Sequence, residues 1–197
     1  MAEAERGLLI VISGPSGSGK STLVRELMRD GEFPLSFSVS ATSRPPRPNE
    51  RDGIDYLFLP RERFEQMRDG GEFLESAEVH GHLYGTPKGP VEQALAAGKW
   101  VLLDIDVQGF HQVREMMPDA VSIFVRTPTL ELAAQRLNER GTESEEVIAR
   151  RIKQAAREMA HAPEYDYQLV NESLPQAVST FRTLLWGVRT LRGCKHD

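Results

Sequence analysis

Cysteine is almost absent from this chain: there is one among 197 residues, Cys194, close to the end. A lone thiol cannot close an internal disulfide, so a reducing, cytoplasmic setting is expected. Positive charge is not in surplus either. The 24 Lys+Arg against 29 Asp+Glu give a net charge of −5, which removes the general reason to expect a protein that coats nucleic acid. Long hydrophobic runs are missing as well. The apolar run Leu8–Ile12 is too short to span a bilayer, and the residues before it, Met1 to Arg6, are acidic where a secretory signal would be basic. No membrane partner is expected. No repeat or low-complexity tract occurs. What remains, 40% hydrophobic and 27% charged residues, is the composition of one ordinary domain, or one domain with an insertion, long enough to bury a core without staples.

The apolar runs set the fold class. Leu8-Leu9-Ile10-Val11-Ile12 reads as a strand buried on both faces, and Trp100–Ile105 and Val121–Val125 read the same way, with a weaker strand at Gln168–Val170. Helical stretches fall between them at Lys20–Arg29, Pro90–Ala97, Leu130–Arg140, Glu143–Ala160 and Gln176–Leu191. Apolar strands alternating with helices predict an α/β fold with a parallel sheet covered on both faces. Residues 36 to 89 break the alternation. They carry Pro and Gly throughout, strand-like runs at Phe37–Val39 and Tyr56–Leu59, and a helical stretch at Arg61–Arg68. This stretch reads as an inserted α+β subdomain. The polar, Arg-rich, helical segment 127–160 suits a mobile lid.

Gly14-Pro15-Ser16-Gly17-Ser18-Gly19-Lys20-Ser21 is a full G-x-x-x-x-G-K-[S/T] string. It stands directly after a buried strand and directly before a helix, the context a phosphate-binding loop requires. Glycines let backbone N–H groups converge on phosphate oxygens, and the helix N-terminus adds positive field. Lys20 is placed to hold the β- and γ-phosphates, and the Ser21 hydroxyl to ligate Mg²⁺. Such a loop implies a nucleoside triphosphate and leaves ATPases, GTPases, motors and small-molecule kinases all open.

Other residues narrow the choice. Asp104 and Asp106 come at the C-terminal end of the second buried strand, the edge that faces the ligand crevice in open α/β sheets; Asp104 is the candidate to organise Mg²⁺ through its waters. Arg44, Arg47 and Arg51 are interleaved with Pro45, Pro46 and Pro48. A stiffened cationic loop of this kind fits an anion clamp, although Pro45-Pro46-Arg47-Pro48 also satisfies a P-x-x-P ligand. Its place beside a phosphate loop favours the clamp. Arg136 and Arg140 share a helix face at i, i+4. Thr142 and Glu145 form a capping-box pattern opening the next helix, which bears Arg151. These three arginines could converge on a transferring phosphoryl group. His80 and His82 have the spacing of metal ligands, but no carboxylate or thiol completes a set.

Taken together, the strings resemble the guanylate kinases, nucleoside monophosphate kinases that phosphorylate GMP. The matching segments are the phosphate loop through Thr22, Phe37–Arg47 (F-S-V-S-A-T-S-R-P-P-R), Glu50–Tyr56 (E-R-D-G-I-D-Y), Phe73-Leu74-Glu75 and Tyr84-Gly85-Thr86. Leu103-Asp104-Ile105-Asp106 with Gln108-Gly109, Arg140-Gly141-Thr142, Glu145–Arg151 and Val170-Asn171 complete the series. The order is kept over nearly the whole chain. One departure is Leu83, where relatives often carry a tyrosine.

The resemblance implies a division into core (1–35, 91–126 and 161–197), GMP-binding insertion (36–90) and lid (127–160). It implies that Gly14–Thr22 and Asn171 bind ATP, with Asn171 near the base. It further implies that Ser40, Arg44, Arg47, Tyr56, Glu75, Tyr84, Thr86 and Asp106 line the GMP site. Among them, Arg44, Arg47, Tyr56 and Tyr84 would hold the phosphate, while Ser40, Glu75 and Thr86 would meet guanine. Lys20, Arg44, Arg136, Arg140 and Arg151 would serve catalysis. The expected partners are ATP, with Mg²⁺, and GMP; monomer and homodimer stay open. Two other readings are a silent guanylate-kinase-like protein-binding module, which would have a damaged phosphate loop, and a P-loop kinase for a sugar phosphate, which would have no use for Ser40, Glu75 and Thr86.

Overall fold

The computed structural model describes residues 6–79, 81–139 and 145–193. In chain order the elements are β1 (Leu9–Ser13), α1 (Lys20–Asp30), β2 (Leu35–Phe37), β3 (Ala41–Thr42), β4 (Leu57–Phe58), α2 (Arg61–Asp69), β5 (Phe73–Val79) and β6 (His82–Pro87). They continue with α3 (Lys88–Ala96), β7 (Trp100–Asp104), α4 (Val107–Met116), β8 (Val121–Arg126), α5 (Leu130–Glu139), α6 (Glu145–Met159), β9 (Tyr167–Val170) and α7 (Leu174–Gly193). Five strands make a parallel sheet flanked by helices, in the order β2-β7-β1-β8-β9, and four make a second sheet, β4-β3-β6-β5. Every residue of β1 is buried, as its unbroken apolar run requires of a central parallel strand.

The chain falls into two compact units. One takes the chain up to Val11 together with Glu32–Ser122; the other takes Ile12–Gly31 and the chain from Ile123.

In the first unit, α3 packs on β7, while α2 and α4 pack on β5. The small sheet has its own core of Ala41, Phe64, Met67, Phe73 and Leu83, with the Phe64 and Phe73 rings stacked 4.5 Å apart. Leu83 is therefore a packing residue. Period-2 alternation does the rest. Gly85 faces this core, where a Cβ would meet Phe64 and Phe73 at 3.1 Å, so its neighbours Tyr84 and Thr86 point to the other face.

Three readings of the sequence need correcting here. The strand near Phe37 belongs to the five-stranded sheet, pairing Leu35↔Trp100 and Phe37↔Leu102, rather than to the insertion. Residues 73–87 form the hairpin β5–β6, with Glu75 paired to Thr86, where no strands are expected from the sequence. Finally, β7 ends at Asp104, so Asp106 is not a strand-end residue. It is the N-cap of α4, an unexpected helix, and its carboxylate accepts the Gly109 N–H at 2.8 Å.

In the second unit, α1 packs against α7, α5 against α6, and α7 against β9. α1 buries Leu23, Val24 and Leu27, one stripe at helical spacing, and ends at Gly31 in the left-handed region. Arg140, Gly141 and Thr142 lie outside the described residues. No helix among the described residues is long and apolar enough to cross a membrane.

Candidate active site

In the second unit, the loop between β1 and α1 is held in one shape by sterics. Gly14 (φ 142°) and Gly19 (φ 85°) adopt backbone conformations that side chains rarely reach. Both are also crowded: a Cβ on Gly14 would stand 1.9 Å from the Val125 carbonyl oxygen, and one on Gly19 2.4 Å from Asn171 Nδ2. Gly17 is closed in by the Ala133 carbonyl in the same way. α1 then opens with no side-chain cap, so its first N–H groups are available to an anion. Lys20 Nζ donates to the Gly14 carbonyl, which folds the ammonium back over the loop. Ser21 lies exposed in the first helical turn, with Thr22 beside it.

Asn171, just after β9, is buried against this loop. Its amide Nδ2 donates to the Ser18 carbonyl at 2.8 Å, and its backbone N–H to the Arg126 carbonyl at 2.7 Å. Asn171 Oδ1 and Ser18 Oγ are buried without a hydrogen-bond partner among the described residues, an arrangement folded proteins rarely leave unanswered. Arg136 on α5 donates to the Asn171 and Glu172 carbonyls at 3.0 and 2.9 Å. The structure thus joins Arg136, Asn171 and the glycine loop in one network. Arg151 lies half-buried on α6.

The first unit holds two adjoining clusters. One centres on Arg44, whose side chain is 13% exposed. The buried Thr42 hydroxyl donates to the Leu83 carbonyl and accepts the Arg44 N–H, which launches the loop from β3. The Arg44 guanidinium donates to both Glu50 carboxylate oxygens at 2.9 Å, to Tyr84 Oη at 3.3 Å and to the Pro45 carbonyl. It also lies over the Tyr56 and Phe58 rings. Burial alone would raise the Glu50 carboxyl, but the Arg47 N–H and the two arginines hold it below the usual range. Burial, then Tyr84 and Asp104, raise the Tyr56 phenol. Arg47 is different: its side chain is 71% exposed. Ser40 lies half-buried before β3, its carbonyl accepting the Leu57 N–H.

The other cluster is Glu75 with Thr86. These cross-strand partners are 6% and 0% exposed, and the Thr86 hydroxyl donates to Glu75 Oε1 at 2.7 Å. Burial, together with the nearby Asp106 charge, pushes the Glu75 carboxyl up to about 7 against the pull of the Thr86 hydroxyl. When ionised, such a carboxylate only accepts hydrogen bonds, and its two oxygens can take two N–H donors side by side. Strongly shifted acids of this kind concentrate at functional sites.

Sequence reasoning assigned no role to Glu50. Its signal was present, an acid three residues after Arg47 in a turn, but an i+3 pair gives no hint of the bond to Arg44. From the sequence, Phe58 likewise reads only as strand. The Ser21 hydroxyl in the second unit is a hard oxygen donor of the kind Mg²⁺ takes, and so, in the first unit, is the Asp104 carboxylate at the end of β7.

Comparison with known proteins shows the family to which the chain belongs. The guanylate kinase family model matches residues 6–188. A guanylate kinase of Desulfitobacterium hafniense is 50% identical over 93% of this chain and 91% of its own length. One from Symbiobacterium thermophilum is 48% identical over 98% of this chain and 92% of its own length. The crystal structure of guanylate kinase from Anaplasma phagocytophilum superposes with a TM-score of 0.75 at 34% identity, covering 93% of this chain and 86% of that one. With a family model spanning nearly all of it and relatives identical at about half their positions, this chain belongs to the guanylate kinase family.

Proposed function

We propose that this chain transfers the γ-phosphoryl group of ATP to GMP, and to dGMP, releasing ADP and the corresponding diphosphate. The observation that carries the reading is the buried Glu75–Thr86 pair in a chain that also has an intact glycine loop with its lysine. Guanine offers N1–H and the N2 amino group side by side, two donors that one carboxylate accepts together. Adenine lacks both on that edge and would leave a buried charge unpaired.

Each group has a role in this reading. Gly14–Thr22 bind the ATP phosphates, with Lys20 countering the charge that moves in the transition state. Asn171 and Arg136 brace that loop and the base side. Arg44, Arg47, Tyr56 and Tyr84 hold the GMP phosphate, and Ser40, Glu75, Thr86 and Asp106 line the guanine side. Arg140 and Arg151 complete the cationic set. Ser21 would be the direct Mg²⁺ ligand, with Asp104 acting through water, and bound Mg²⁺ would neutralise the triphosphate. The second pKa of a phosphate monoester is about 6, so the acceptor oxygen is already ionised at neutral pH. A general base is unnecessary. The requirement is two anions held in line with water excluded. We assign 36–90 to GMP binding, 127–160 to closure over the substrates and the rest to the core, in a cytoplasmic enzyme of purine nucleotide metabolism.

The test is ADP release from ATP and Mg²⁺ with GMP, dGMP, AMP, CMP and UMP in turn. The proposal expects turnover with GMP and dGMP and little with the others. Equal turnover with AMP would reject it.

A further inference from the structure

The guanine-side carboxylate is framed by α4 as well as by Thr86. α4 runs along β5, the edge strand of the small sheet. Gln112 fixes that packing with both ends of its amide: Oε1 accepts the Ser76 N–H and Nε2 donates to the Ser76 carbonyl, each at 3.0 Å. This pins the residue next to Glu75 and covers the exposed strand edge.

One turn earlier on α4 stands Gly109. It is buried, and its φ lies outside the left-handed region, so backbone conformation does not call for glycine. Glycine in a helix is inferior to alanine. Its use here has a steric reason. A Cβ at this position would meet Glu75 and nothing nearer: Oε2 at 2.7 Å, Cδ at 3.1 Å and Cγ at 3.3 Å.

We propose that Gly109 is a positioning residue for guanine selection, its missing Cβ being the space in which the Glu75 carboxylate rests against α4. The inference rests on the reading of Glu75 as the guanine acceptor. Ordinary contact begins at 3.4 Å, so a methyl group at 109 would drive Oε2 back by about 0.7 Å. That exceeds the tolerance of about 0.5 Å within which a recognition group must be held. Gln112 prevents strand and helix from sliding apart to make room.

The test is a double-mutant cycle of Gly109→Ala and Glu75→Ala, read as KM for GMP, KM for ATP and kcat. Gly109→Ala is expected to raise KM for GMP roughly tenfold to a hundredfold, leaving KM for ATP and kcat within about twofold. Added to Glu75→Ala, it should change KM for GMP no further, because the group it displaces is gone. A KM for GMP unaltered by Gly109→Ala, while Glu75→Ala raises it, overturns the inference. So does a Gly109→Ala effect of equal size in both backgrounds. If Glu75→Ala leaves KM for GMP unaltered, the guanine reading itself fails and takes the inference with it. Should Gly109→Ala not fold alone, the double variant decides: recovery of a cooperative melt supports the steric account, and failure to recover refutes it.

Discussion

Replacing Glu75 by glutamine should move stability and function in opposite directions. The carboxyl rises from its ordinary 4.5 to about 7 because burial disfavours its charge. Below pH 4.5 it is protonated in folded and unfolded chains alike, and the charge costs nothing. Between 4.5 and about 7 the unfolded chain ionises first, so stability falls as pH rises. Above about 7 the folded protein carries the full cost, which amounts to about 3 kcal/mol. Glutamine keeps an oxygen for the Thr86 hydroxyl and removes the charge. Glu75→Gln should therefore gain up to about 3 kcal/mol over the parent near pH 8 and little near pH 4.5, measured by urea unfolding. The same change exchanges a carboxylate oxygen for a donor facing guanine. Two hydrogen bonds to a charged acceptor are worth about 1.5–3 kcal/mol each, so KM for GMP should rise by about 10² to 10⁴. GMP affinity of the parent should also fall as pH drops below about 7, beyond what the phosphate's own titration produces, and the variant should lack that component. A stability difference that does not grow with pH would refute the buried-charge argument. Unchanged GMP kinetics would refute the recognition argument.

Other outcomes follow from the same contacts. Lys20→Met should fold normally and lose most of kcat, read from ADP release, since it deletes the cation folded over the glycine loop. Asn171→Ala removes the bond to the Ser18 carbonyl; it should cost about 1–2 kcal/mol in thermal unfolding and raise KM for ATP more than KM for GMP. Arg151→Ala should lower kcat with little change in GMP affinity, measured by steady-state kinetics and GMP titration.

Much of this molecule could be read from its residues, and the parts that could not have physical causes. β1 and the glycine loop have local signatures, an unbroken apolar run and a string of glycines, even though residues as remote as Val125, Ala133 and Asn171 close in on the loop. β2 is a three-residue strand, Leu35–Phe37, with no buried residue of its own, so only its pairing with β7 makes it part of the sheet. β5 hides for another reason. Its register shifts between Phe73 and Glu75, and an acid occupies a buried position, so the alternation that marks a strand is broken there. α4 was obscured by Gly109, a residue that weakens the helical pattern and makes room for Glu75. At the site, Arg44 and Glu75 were legible as residue types in motifs. The Glu50 clamp and the α4 wall were not, because both depend on contacts that short-range spacing does not encode.

The central claim is that the phosphoryl group leaving ATP arrives on GMP. The most direct measurement supplies ATP labelled in the γ-phosphate, with Mg²⁺ and GMP, and follows the label. The account predicts that it appears in the β-position of GDP, that ADP and GDP form in equal amounts, and that little inorganic phosphate is released. Label appearing mainly as inorganic phosphate, with GMP unconsumed, would contradict it.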